Sequence, residues 1–428
     1  DGLMNVQQIQ ASNGGFAAVL ADGSVVTWGH ANFGGDNSAV QDRLKNVQQI
    51  QASNGAFAAI LADGSVVTWG HADYGGDTSA VQEQLTNVQH IQASANAFAA
   101  ILGDGSVVSW GHANFGGENS AVQEQLTNVQ HIQASNIAFA AILADGSVVT
   151  WGHADNGGDS SVVQAWFYSY QTGALQSAFG LCLSADLSLG GNGPPPSPGH
   201  AHSAEEQLRD VKQIQASLGA FAAMLGDGSV VTWGHADYGG DSSAVQEQLR
   251  DVQQIQASEK AFAAILGDGS VVTWGNAGCG GDSSAVRDQL RDVQQIQASY
   301  GAFAAILGDG SVVTWGPADY GGDSSAVQDQ LRDVQQIQAS IRAFAAILCD
   351  GSVVTWGHAS FGGDSSAVQE QLRDVQQIQA SDQAFAAILG DGSVVTWGDA
   401  DYGGDSSVAE HQLRGMQAVD PSSFASSA

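Results

Sequence analysis

Short apolar runs of five or six residues alternate with polar punctuation along almost the whole chain. Residues 47–77 read VQQIQASNGAFAAILADGSVVTWGHADYGGD. The runs Ala56 to Leu61 and Ser65 to Trp69 flank Asp63-Gly64, a pattern that predicts a β-hairpin, with Asp-Gly supplying the positive φ angles of a tight primed turn. Along the first run Phe57, Ala59 and Leu61 fall on one face and Ala58 and Ile60 on the other. Both faces are apolar, so such a sheet must be covered on both sides. The alanines would let neighbouring sheets approach closely.

The pattern repeats. Tryptophan recurs at Trp28, Trp69, Trp110 and Trp151, then at Trp233, Trp274, Trp315, Trp356 and Trp397, with a step of 41 residues inside each group and 82 between them. A fixed period of this length marks units that stack on their neighbours to bury a face. Residues 1–159 carry four regular repeats and residues 205–414 carry five. Residues 160–204 keep the length of one unit but lose the tryptophan, gain the aromatic residues Trp166, Phe167, Tyr168 and Tyr170, and end in a proline run that cannot supply ladder hydrogen bonds. This stretch is expected to be a degenerate repeat with a Pro-rich loop, and residues 415–428 a flexible tail. Both ends of the array fall inside a unit, which in a closed ring would let one sheet draw strands from both termini. In the linker, Val245, Leu249, Val252 and Ile255 are spaced four, three and three. That spacing suits a helix, or a loop or single helical turn followed by a strand from Val252 to Ala257.

The order of a V-x-x-I-x-A strand, a short turn, a hairpin around L-x-D-G-S-V-V-x-W-G and a Gly-rich loop resembles the repeat of the regulator of chromosome condensation family. Val252, Ile255, Ala257, Leu266, Asp268, Gly269, Val271, Trp274 and Gly275 carry the match. The resemblance implies an all-β fold, a repeat β-propeller of about nine or ten small units, used as a platform for protein partners. An open β-solenoid or two smaller propellers are the alternatives. Family units usually place Ala-Gly and then His before the hairpin, where this chain has Ala257-Ser258 and Phe262, and its units are shorter. The function implied is a non-catalytic interaction scaffold. The alternatives are a nucleotide exchange factor for a small GTPase and a structural subunit of a large assembly.

Composition narrows the partners. The formal charge is −32, with 44 acidic against 12 basic residues. Such a surface repels phosphate backbones and anionic headgroups, so nucleic acid is not an expected partner and a protein partner with a basic surface is. Asp-Gly breaks the apolar block of every regular unit, so no membrane insertion is expected. No signal pattern opens the chain, and localisation stays open. Cys182, Cys279 and Cys349 have neither disulfide nor metal spacing.

Repetition also produces series of candidate groups. The tryptophans read as core packing. His30, His71, His112, His153, His235 and His358 follow Trp-Gly, where other units carry Asn276, Pro317 and Asp399, so a loop role is preferred to metal ligation. Asp36, Asp77, Glu118, Asp159, Asp241, Asp282, Asp323, Asp364 and Asp405 follow Gly-Gly and precede Ser, Thr or Asn, which suits turn capping better than calcium. Tyr74 with Asp77, Tyr238 with Asp241, Tyr320 with Asp323 and Tyr402 with Asp405 are the candidate partner-binding loops. No nucleophile motif, phosphate loop or zinc motif occurs, so neither catalysis nor a cofactor is expected. Function should lie in what varies: the Gly-Gly-Asp loops, the residues between Ala-Ser and Ala-Phe, and the unit without its motif.

Overall fold

A computed structural model describes residues 4–160 and 208–407. Apart from Ser160, the degenerate repeat at 160–204, with Trp166, Phe167, Tyr168 and Tyr170, lies outside the described residues, as does the tail at 415–428. In unit two the strands Val47–Ala52, Ala56–Leu61 and Val66–Gly70 pair in sequence order into one antiparallel sheet. Among the described residues the same three-stranded sheet occurs nine times, starting at Val6, Val47, Val88, Val129, Val211, Val252, Val293, Val334 and Val375. The architecture is all-β.

Each sheet is covered on both faces, as its alternation requires. Phe57, Ala59, Val67 and Trp69 pack with Ala17, Val19 and Val25 of unit one. On the opposite face, Ala58, Ile60 and Val66 pack with Ile91, Phe98 and Trp110 of unit three. Phe57 and Trp69 are cross-strand partners whose rings stack at 5.2 Å. The Trp69 indole then donates to the carbonyl of Gly34 in the preceding unit at 3.0 Å. That glycine has no substitute. Its φ is +84°, and a Cβ there would meet the Phe57 ring at 2.6 Å.

The spacing of Val47 and Ile50 has a sheet cause. A β-bulge between Val47 and Gln49 inserts one residue, so positions three apart share the buried face. The linker is a run of turns in which the Leu85 N–H reaches the Val81 carbonyl, one helical turn before the next strand. The hairpin loop differs from the primed turn expected of Asp-Gly. Gly64 has φ +77°, but Asp63 is not at positive φ. The Gly64 N–H donates to Leu61 O, and the Leu61 N–H to Ser65 O, each at 2.9 Å. This is the three-residue hairpin loop with a left-handed glycine at its end. Asp63 Oδ1 instead accepts from the Ser65 amide at 2.9 Å and from its hydroxyl at 2.6 Å.

Two junctions lie outside the regular 41-residue step. Units four and five pack directly, with Ala138, Ala140 and Val148 against Val211, Ile214 and Phe221, and Trp233 donates to Gly157 O at 3.2 Å. Among the described residues no further sheet stands between them. Unit nine packs on unit one in the same way: Ala384, Ala386 and Ile388 meet Val6, Ile9 and Phe16, and Trp28 donates to Gly403 O at 3.1 Å. An open row would leave those two faces bare. No described sheet mixes strands from the two ends, and the residues after 407, which the expectation of a shared sheet concerns, lie outside the described residues; the first sheet is Val6–Gly29. Sheet-to-sheet packing joins unit nine to unit one because each unit already holds its three strands.

Candidate interaction surface

The first strands of consecutive sheets are neighbours, Val375–Ala380 and Val6–Ala11 included. Gln10 Nε2 donates to Gln51 Oε1 at 3.1 Å between two of them. Each such strand ends in Ala-Ser followed by two residues, and there the nine units are tied head to tail. The Asn13 N–H donates to Asn54 O, Asn54 to Ala95, Ala95 to Asn136, Asn136 to Leu218, Leu218 to Glu259, Glu259 to Tyr300, Tyr300 to Ile341, Ile341 to Asp382, and Asp382 back to Asn13, at 2.9 to 3.2 Å. These nine residues, with the Ala-Ser pairs before them, line a cavity of about 470 Å³. The serine hydroxyls bond the loops. Ser53 Oγ donates to Tyr74 O at 2.7 Å and accepts from the Ala56 amide at 3.1 Å.

That bond brings the second variable segment to the same rim. After the third strand, the 3-10 turn Ala72–Tyr74 is capped by His71, whose Nδ1 accepts from the Asp73 amide at 3.2 Å. His30, His112 and His235 cap in the same way, and Asn276 and Asp399 use their oxygens for the same task. The interchange of His, Asn and Asp follows, since each offers an acceptor two residues before the amide. His153 and His358 make no such bond. Among the described residues no three His, Cys, Asp or Glu side chains converge as metal ligands.

The candidate tyrosines lie on this rim. Tyr74 is half-buried, and a Cβ added at Gly55 would meet its ring at 2.9 Å. Tyr402 stacks with Phe33 across the junction of units nine and one, at 6.5 Å. Tyr238 lies under Lys260 Nζ at 5.2 Å from its ring centre. Tyr320 and Phe361 each stand 5.1 Å from the Arg342 guanidinium. The acids paired with these tyrosines have a different task. Asp77, Asp241, Asp323 and Asp405 each accept from the amide two residues on, at 2.8 to 2.9 Å. They cap the start of the linker, as the Gly-Gly-Asp pattern suggests.

The polar chemistry of the rim belongs to residues the sequence marks only as variable. Glu259 pairs with Lys260 at 3.2 Å and accepts from the Cys279 thiol at 3.8 Å. Burial, followed by the Glu259 charge, pushes the Cys279 thiol up and the Tyr300 hydroxyl to about 12. Burial also raises the Asp382 carboxyl to about 7. In unit three, His90 is held below its usual value by burial and then by His131 of unit four. The available signal was contrast between units. Asn13-Gly14 and Asn54-Gly55 match each other, whereas Ala95-Asn96, Asn136-Ile137, Leu218-Gly219, Glu259-Lys260, Tyr300-Gly301, Ile341-Arg342 and Asp382-Gln383 all differ within near-identical surroundings.

No family model matches the chain, and no curated protein matches it. Solved structures do. Prp20p of Saccharomyces cerevisiae, described with its binding properties to Gsp1p and histones, is 14% identical over 97% of this chain and 96% of its own, with a TM-score of 0.42. Human WBSCR16 is 15% identical over 71% of this chain and 83% of its own, with a TM-score of 0.38. The computationally designed Ika8 protein is 14% identical over 93% and 97%, with a TM-score of 0.36. Among the described residues no helix is long and apolar enough to cross a membrane.

Proposed function

We propose that the nine sheets are the blades of a β-propeller built from shortened relatives of the chromosome-condensation regulator repeat, and that the chain is a non-catalytic scaffold binding a protein partner on its variable rim. One observation carries this reading. Across nine near-identical units the residues that differ most lie close together: the first residue of each dipeptide after Ala-Ser lines one cavity, and the 3-10 turns are bonded to the serines that precede those dipeptides. Aromatic rings and an aromatic-stacked arginine are the groups that anchor protein interfaces. The charge of −32 favours a basic partner surface and disfavours nucleic acid. A non-catalytic role accords with Cys279, whose thiol is pushed towards the protonated form instead of the reactive thiolate.

The test exchanges Glu259-Lys260, Ile341-Arg342 and Asp382-Gln383 for Asn-Gly, the dipeptide that units one and two already carry on the same backbone. Partners captured by the native chain should be lost by this variant while its unfolding midpoint stays close to native. An unchanged set of partners sinks the reading. Accelerated nucleotide release from a small GTPase would replace the scaffold with an exchange factor.

A further inference from the structure

We propose that the rim cavity receives the primary ammonium of a lysine side chain from the protein partner, with Asp382 as its anion and the amide oxygens of Asn13 and Asn54 as its other acceptors. This rests on the scaffold reading and specifies what the partner brings. The three residues occupy the same position in units nine, one and two. They are consecutive along the rim, because the Asp382 amide donates to Asn13 O at 3.2 Å and the Asn13 amide to Asn54 O at 3.1 Å. All three line the cavity of about 470 Å³. Among the described residues no hydrogen bond or ion pair reaches any of their side chains.

A carboxylate withdrawn from water without a cation is costly, and buried charges are normally paired. The other rim acid, Glu259, already has Lys260 at 3.2 Å; Asp382 has no such partner among the described residues. A primary ammonium offers three N–H donors and no acceptor, which matches one carboxylate followed along the rim by two amide oxygens. Ala52, Ala380 and Ile341 line the same opening and supply apolar surface for a methylene stem. The overall charge of −32 draws cations to the protein as a whole.

The probe is N-acetyl-lysine methylamide, titrated into the full chain and followed by the side-chain amide NMR signals of Asn13 and Asn54, with the norleucine analogue as the uncharged comparison. Saturable shifts are expected with the lysine compound and not with norleucine. Asp382→Asn should weaken binding roughly tenfold or more, and Asn54→Ala roughly threefold. Both variants should fold, since units one, two and four carry Asn at this position and unit three carries Ala95. Equal binding of the norleucine analogue overturns the proposal, as does undiminished binding by Asp382→Asn. Saturation by calcium chloride at lower concentration than the lysine compound overturns it in favour of a metal site. If a captured partner needs the rim dipeptides yet binds Asp382→Asn at native strength, this inference falls and the scaffold reading stands.

Discussion

Asp63 and Asp382 place the same side chain in opposite electrostatic situations. The hydroxyl and then the amide of Ser65 stabilise the charged form of Asp63 and lower its pKa. Asp22, Asp104, Asp145, Asp227, Asp268, Asp309, Asp350 and Asp391 repeat that arrangement. Their contribution to stability is present above the ordinary value of 3.8 and is lost as the pH falls below it. For Asp382, burial raises the folded value to about 7, so the native state holds the proton more tightly than the unfolded chain. Its contribution is fully present below 3.8 and is lost as the pH rises through about 7. Thermal unfolding of the native chain and Asp382→Asn should therefore diverge with pH. Between about 4 and 7 the native midpoint should fall relative to the variant, and below 3.8 both should fall together. Parallel curves across the whole range would refute the assignment.

Within each sheet, the bulge and the tryptophan do the organising. The bulge turns a V-x-x-I spacing, ambiguous between helix and strand in the sequence, into one buried face. The tryptophan acts in two ways, by stacking on Phe57 within its own sheet and by donating its N–H to Gly34 O of the preceding unit. These contributions separate by substitution. Trp69→Phe keeps an aromatic ring beside Phe57 and loses the donor, for an expected cost of about 1 kcal/mol. Trp69→Ala also leaves a cavity and should cost about 3–5 kcal/mol. Urea unfolding with unchanged slope would measure both, and equal losses would show that the hydrogen bond dominates. The hairpins, their two apolar faces and the packing role of tryptophan were legible because side-chain alternation reports burial directly. The loop type was not. Asp-Gly suits both a primed two-residue turn and a three-residue loop, and only the register of Leu61 against Ser65 separates them.

At the scale of the whole molecule, unit nine seats on unit one with the same bonds as any other pair. Hydrogen exchange of the indole N–H groups tests this. Trp28, which donates to Gly403, should exchange as slowly as Trp274, which donates to Gly239. Much faster exchange at Trp28 would mean that the ends fray as in an open row. The repeat period, the hairpin and the need for cover on both faces follow from the sequence alone, because each depends on residues close together in one unit. Which units touch across the long gaps in sequence depends on how the sheets stack, and no single unit encodes it. The same is true of the rim. The sequence marks the dipeptides after Ala-Ser as variable, but Asp382 and Asn13 lie 369 positions apart. Only the packing of the last sheet on the first makes them neighbours around one cavity.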